Sequence, residues 1–238
     1  MKISVCIATY NGENYIEEQL VSILGQLNYF DEVIISDDSS TDNTIHIIES
    51  LNDHRIKIYQ NQKSKSPIFN FENALNHAKN DIIFLSDQDD VWLDNKVTKF
   101  LEQLKTYDLV VSDCSIIDKR GKVISNSFFT LNNSGSGLLK NIYKNSFLGC
   151  SMAFNRKILN HALPFPHDIA MHDIWIGLIA EVYGKTYFLP NKLLLYRRHD
   201  ANASQAGENS SFALLKKILI RLIFVKNLVK RRFLKRDK

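Results

Sequence analysis

Three carboxylates stand within four residues at Asp87-Gln88-Asp89-Asp90, directly after the apolar run DIIFLS. Like charges this close repel unless a cation sits among them. A hard divalent ion, Mg²⁺ or Mn²⁺, prefers oxygen ligands and commonly takes one or two protein carboxylates together with phosphate oxygens. Acids in such a place can also cap a helix, since they favour the positive end of its dipole. Asp94, just before the next helical pattern, is expected to fill that role, which leaves DQDD for a metal. A second acidic turn, Asp37-Asp38-Ser39-Ser40-Thr41-Asp42, follows the run EVIIS in the same way. Thr41 or Asp42 is the expected helix cap there. Asp37 and Asp38 are not needed for capping and could accept hydrogen bonds from a base or a ribose. Thr9-Tyr10-Asn11-Gly12 ends a third apolar run, and alone it marks no more than a tight turn.

The elements that must position these turns follow a repeating grammar. Residues 3–9 are a β-rich apolar run, after which Ile16, Leu20, Ile23, Leu24 and Leu27 recur at helical spacing. Strands are expected at 32–36, 56–59, 82–86 and 109–112, with helices at 42–51, 69–79 and 94–105. Strands alternating with helices predict a parallel sheet covered on both faces, with ligands at the carboxyl ends of its strands. The three turns above all lie at such ends. Beyond Asp113, residues 126–137 (NSFFTLNNSGSG) read as a mobile loop, because Asn, Ser and Gly offer turn chemistry and little core. A strand is expected at 147–154, a helix at 172–183, short strands at 186–189 and 193–197, and a final helix at 212–235.

The 238 residues, 45% apolar and 24% charged with nine glycines and four prolines, exclude collagen-like and disordered classes and suffice for one large domain. Cys6, Cys114 and Cys150 are odd in number and lack metal spacing, which suits a reducing cytosol rather than a disulfide scaffold. The start MKISVCIATYNG reads as a strand rather than a secretory signal. Gly-rich dinucleotide and P-loop fingerprints, H-E-x-x-H and G-x-S-x-G are all missing, so oxidoreductases, P-loop NTPases, zincins and α/β-hydrolases lack their signatures.

Taken in order, ATYNG, DDSSTD and DQDD resemble the three N-terminal motifs of the A-type nucleotide-sugar glycosyltransferases of family 2. The resemblance covers about residues 1–200. FLGCSMAFNRK, HDIW and YRRHDANAS are most similar to the rhamnosyltransferase-like branch that builds bacterial surface polysaccharides. It implies a single-domain GT-A-type α/β fold over residues 1–205, with a Rossmann-like, mostly parallel sheet flanked by helices. It also implies inverting transfer from a nucleoside-diphosphate sugar, a dTDP- or UDP-sugar, to a glycan or glycolipid acceptor. By motif, Thr9, Tyr10 and Asn11 would line the nucleotide pocket, Asp38 would contact the base, Asp87 would lie near the ribose and Asp89 would bind the metal. Arg197 and Arg198 suit diphosphate oxygens, since guanidinium groups match them two bonds at a time. His199 is a further candidate for metal or phosphate. Asp173 matches the catalytic base, although at the start of a helix it could equally be a cap. Gly149 and Cys150 would lie at the acceptor pocket, and Trp175 would stack on a sugar or belong to the core.

The net charge of +4 is unevenly placed: residues 212–238 carry ten Lys/Arg against Asp237 alone, which leaves the body acidic. Leu215, Ile218, Leu222, Val225, Val229 and Phe233 recur at three- and four-residue steps among those cations. Residues 206–238 are therefore expected to form a basic amphipathic helix, lying on an anionic membrane or packed on protein, with the enzyme peripheral at the cytoplasmic face. No nucleic-acid-binding motif accompanies the charge. Two rival classes remain. A nucleotidyltransferase would want a Gly-rich basic loop where ATYNGEN is acidic, and a non-catalytic scaffold would not need DQDD and Asp173 together.

Overall fold

The computed structural model describes residues 1–61, 65–199 and 214–234. Its first half is β1 (Ile3–Thr9), α1 (Ile16–Leu24), β2 (Glu32–Asp37), α2 (Thr44–Ser50), β3 (Ile56–Gln60), α3 (Pro67–His77), β4 (Ile82–Ser86), β5 (Val91–Trp92), α4 (Lys96–Gln103) and β6 (Leu109–Asp118). The second half is β7 (Val123–Ser125), α5 (Phe128–Asn132), α6 (Leu138–Tyr143), a 3₁₀ turn (Gly149–Ser151), β8 (Met152–Asn155), α7 (Arg156–Ala162), α8 (His172–Tyr183), β9 (Thr186–Arg198) and α9 (Leu214–Leu234).

The strands form one sheet in the order β3-β2-β1-β4-β8-β6-β9-β5, with β7 beside β6. Pairing among β1 to β4 is parallel. Beyond β4 it is mixed, because β8 runs antiparallel to both neighbours while β6 and β9 are parallel. The chain moves outward from β1 through β2 to β3 and then returns to β4 on the other side of β1. At that reversal the connections leave in opposite directions and open a crevice at the carboxyl ends of β1 and β4.

A period of two divides each strand between two cores. On β1, Ile3, Val5 and Ile7 join a cluster with Ile16, Leu20 and Ile23 of α1 and Phe100 of α4. Cys6 faces the opposite cluster, with Phe71 of α3, Ile158 of α7 and Trp175 of α8. Both faces are thereby covered by helices, as the strand-helix alternation requires.

Several expected features differ. Residues 126–137 hold a short helix rather than a bare loop. Ser127 Oγ accepts from Thr130 N–H at 3.0 Å, Asp113 accepts from Ser127 Oγ at 2.6 Å and from Phe129 N–H at 2.9 Å, and Phe128 is buried. A long-range carboxylate thus supplies what the local composition does not. The 147–154 strand shortens to β8 behind the 3₁₀ turn, and the two short strands after α8 fuse into β9, with irregular register where Asp113 meets Lys192. Asp94 is not the cap of α4: that position belongs to Asn95, left-handed at φ 64° and making no side-chain cap bond. The expected boundary at 205/206 lies outside the described residues, as do Phe212, Ala213 and Lys235. Phe224 and Leu228 of α9 are buried in the second core.

Candidate active site

A cavity of about 330 Å³ opens at the switch point. Its walls come from separate turns: Thr9 and Tyr10 after β1, Asp38 after β2, Asp87 to Asp89 after β4, Gly149 of the 3₁₀ turn, and His172 and Asp173 at the start of α8. Lys65, Asn70 and Tyr196 also line it.

The turn after β2 is built mainly for shape. Asp37 accepts from Thr9 Oγ1 at 3.0 Å, Ser40 Oγ at 2.6 Å and Ser40 N–H at 2.8 Å. Asn11, left-handed at φ 48°, accepts from Thr41 N–H at 2.9 Å and donates its own N–H to Ser40 Oγ at 2.9 Å. Asp42, one residue before the Asn43 cap position, accepts from Thr44 N–H and from Glu13 N–H, and these bonds hold its carboxyl low despite partial burial. Asp38 alone reaches the cavity. Burial pushes its carboxyl up, and bonds from Asn61 Nδ2 at 2.5 Å and Ser66 N–H at 3.1 Å only partly offset this.

The turn after β4 is different. Gln88 clips the first turn in both directions, accepting from Tyr10 N–H at 2.9 Å and donating to Tyr10 O at 3.1 Å. Gly12 leaves room for this clip, since a Cβ there would lie 2.5 Å from Gln88 Oε1 and push the amide aside. Asp87 is pushed up by burial and by the carboxylates of Asp89 and Asp173. Asp89 meets His199 Nε2 at 2.7 Å, and the imidazole is stacked on Tyr15. Asp90 is fully buried; its Oδ1 accepts from Arg197 N–H at 2.9 Å while Oδ2 has no partner, and burial drives its carboxyl far up. Beneath the cluster lies Lys96, also fully buried, with Nζ donating to Cys150 O at 2.8 Å and resting over the Trp92 ring at 4.5 Å. Burial lowers its ammonium to about 8, against the pull of nearby anionic groups.

Asp173 closes the opposite wall. Burial raises its carboxyl to about 6, while bonds from the backbone N–H groups of Ile174 and Gly149 hold it partly down. The N-cap position of α8 is Met171, with no side-chain cap bond, so Asp173 already lies inside the first turn. His172 stacks on Phe71 at 4.0 Å, neither ring nitrogen has a partner, and burial depresses its pKa to about 3, so it is neutral. Gly149 keeps this wall open, since a Cβ there would lie 3.3 Å from His172 Nε2.

Residues 4–163 match the family model described as glycosyl transferase family 2. The chain belongs to glycosyltransferase family 2. Among its relatives are the dTDP-rhamnosyl transferase RfbG of Shigella flexneri, 30% identical over 87% of this chain and 75% of that one, and the GalNAc(5)-diNAcBac-PP-undecaprenol β-1,3-glucosyltransferase of Campylobacter jejuni, 28% identical over 88% and 69%. Two solved structures share the fold. They are S. aureus TarS 1–349 in complex with UDP-GlcNAc (TM-score 0.71, 21% identity, 95% of this chain and 67% of that one) and the mannosyltransferase PcManGT of Pyrobaculum calidifontis in complex with GDP-Man and Mn²⁺ (TM-score 0.64, 20% identity, 84% and 58%). A second TarS 1–349 structure is spanned over only 60% of its length.

Against this family 2 frame, the cavity brings together Thr9, Tyr10, Asp38, Asp87, Asp89, Gly149 and Asp173 of the residues expected from sequence, with His199 held on Asp89. Others lie apart from it. Asn11 is committed to Thr41, and Arg197 is committed to the β4 turn and α1, donating Nε–H to Asp89 O at 2.8 Å and Nη2–H to Glu18 at 2.7 Å. Arg198 is not among the lining residues. Cys150 is a buried thiol pushed well up, with its carbonyl holding Lys96. Trp175 is wholly buried, its indole N–H donating to Ala162 O at 2.9 Å, and it belongs to the core. Sequence reasoning passed over Lys96, Gln88, Asn70 and the orphaned imidazole of His172. Lys96 left a trace: it lies four residues before Phe100, on the apolar stripe of α4, where a charged residue is out of place.

Proposed function

We propose that this glycosyltransferase moves a hexose or deoxyhexose, with inversion, from a dTDP- or UDP-sugar to a hydroxyl of a growing, lipid-linked bacterial surface glycan, at the cytoplasmic face of the membrane. One observation carries the reading: a buried carboxylate, Asp173, faces across one cavity the wall formed by Asp38, Asp87 and Asp89. Asp38, which lines the cavity with its carboxyl pushed up by burial, suits the N–H of a pyrimidine base, and Asp87 suits ribose hydroxyls. Asp173 stands where it takes the acceptor's hydroxyl proton as that oxygen attacks the anomeric carbon and the bond to the diphosphate breaks. With a carboxyl near 6, it is ionised at neutral pH yet basic enough for the task.

A divalent cation, Mg²⁺ or Mn²⁺, fits the residues present. Asp87 and Asp89 line the cavity; burial drives Asp87 upward first, and the carboxylate repulsion that adds to it is what a cation relieves. A second grouping, Asp87, Asp90 and Cys150, has ligand atoms within 4.8 Å of one another. It suits a hard ion less, because the buried Cys150 thiol holds its proton and neither Cys150 nor Asp90 lines the cavity. Asp87 and Asp89, with His199 behind, are therefore the residues that would hold it. Bound there, the ion would neutralise charge developing on the leaving diphosphate. The rhamnosyl and undecaprenol-linked specificities of the relatives support the sugar class and acceptor proposed here.

The test is a thermal-shift panel of UDP, GDP, dTDP and CMP, each with and without Mn²⁺, since a ligand that binds only the folded state raises apparent stability. Stabilisation by dTDP or UDP that requires Mn²⁺ is expected. No response to any diphosphate would overturn the proposal.

A further inference from the structure

Helix α9 divides cleanly between two environments. Phe224 and Leu228 are buried against the body, and the helix is pinned there by polar bonds: Asn227 Nδ2 donates to Asp168 at 2.7 Å, and Arg231 donates to Leu163 O at 2.7 Å with its guanidinium over the Trp175 ring. The other face is apolar and exposed, carrying Leu215, Ile218, Leu219, Leu222, Val225, Val229 and Phe233. The helix carries seven Lys/Arg and no acid, of which Arg221, Lys226 and Arg231 bond to Tyr143 O, Asp168 and Leu163 O. The patch does not end at α9. Arg221 donates to Tyr143 O at 2.7 Å and lies over its ring at 4.6 Å, tying α9 to α6, where Leu139 is 82% and Tyr143 72% exposed beside Lys140.

We infer that α6 and α9 together form a docking face for a membrane surface rich in anionic lipid. An apolar stripe with cations on its flanks fits the boundary between acyl chains and negative headgroups. No helix among the described residues is long and apolar enough to cross a membrane, so α9 lies along the surface. Charge argues against a second copy of the same face, because two such helices would set cations against cations. The pins make α9 a fixed ledge rather than a loose arm, since they hold it on the 163–168 segment that leads into Met171, His172 and Asp173. Given the transfer reaction proposed above, the bilayer is then built onto the helix that carries the base, on the side where a lipid-linked acceptor would arrive.

The test uses the full chain, without donor, in co-sedimentation with phosphatidylcholine vesicles with and without about 30% phosphatidylglycerol. Binding to the anionic vesicles alone is expected, falling at least tenfold in apparent affinity as salt rises from about 50 to 500 mM. Leu222→Glu on α9 and Leu139→Glu on α6 should each weaken it about five- to tenfold, while circular dichroism and thermal unfolding stay unchanged because both side chains are exposed. Leu139 is the sharper probe, since it lies 76 residues before Leu215 and a loose basic tail would not feel it. Absence of binding, equal binding to neutral vesicles, wild-type binding by the Leu139 variant, or a dimer in sedimentation velocity that Leu222→Glu dissolves would each overturn the inference. None of these readings depends on the donor, so a failed nucleotide panel and a failed vesicle assay remain distinct results.

Discussion

The turns after β2 and β4 have similar acid content and opposite uses for it. After β2, Asp37 collects three donors from Thr9 and Ser40, and Asp42 collects its own from Thr44 and Glu13. After β4, Asp90 has one backbone donor and the Cys150 thiol beside it, with one buried oxygen left without a partner, and Asp87 is pushed up by burial and by its carboxylate neighbours. A carboxylate whose lone pairs are filled by its own turn holds the chain in shape. One buried among other acids is held there, at a cost in stability, by the rest of the fold, and is available to a charged ligand. Hydroxyl side chains make the difference: SDDSSTD interleaves its acids with hydroxyls, whereas the one amide within DQDD, Gln88, donates to Tyr10 O instead.

The comparison breaks most visibly at Asp89. Asp89→Asn removes an anionic ligand with little change in volume, so metal-dependent transfer should fall by about 10³-fold or more, the several kcal/mol that a cation contributes to charge stabilisation. Wild-type turnover with wild-type metal dependence, measured as released nucleoside diphosphate, would show that the β4 turn is as structural as the β2 turn.

Asp173→Asn should cut transfer by roughly 10²- to 10⁴-fold while leaving Mn²⁺-dependent nucleotide stabilisation intact. The wild-type rate should fall as pH drops below about 6, where Asp173 takes up its proton. Stability runs the other way. A folded-state pKa raised above the unfolded value contributes stability that is present at low pH and lost as pH rises through about 6. The Asn variant should therefore match wild type near pH 4 and exceed it at pH 7, by at most about 3 kcal/mol. Denaturant unfolding at both pH values checks this, and a variant less stable at pH 7 would mean that the bond to Ile174 N–H outweighs the buried charge.

Within the β2 turn, Asp37→Asn should cost about 1 to 3 kcal/mol, because an amide nitrogen replaces an oxygen that accepts a buried bond. The matching change in the β4 turn, Asp90→Asn, should cost less than that, since burial drives this carboxyl far up and a neutral amide relieves the penalty on its charged form. Equal losses from the two substitutions, read by urea denaturation, would erase the distinction drawn between the turns.

The local code determined the strand-helix alternation through β4, the parallel pairing it requires, the three turns at the strand ends and the family itself, because each is written in nearest-neighbour chemistry: period two, period three to four, hydroxyls and acids at turns. Helix α8 was legible for the same reason, its expected span 172–183 being the one found. Three things were decided only by tertiary structure. Packing turned Arg197 away from the cavity and onto Glu18 and the β4 turn, so a residue type suited to phosphate became a brace. It placed Lys96 of α4 under carboxylates brought in by β4, a pairing of charges that no local pattern contains. It also sorted α9 into a buried and an exposed face by presenting α8 to it, where the sequence offered apolar residues on nearly every side. Spacing specifies which residues share an element's face, but whether that face meets a core, a cavity or solvent depends on which distant segment folds against it.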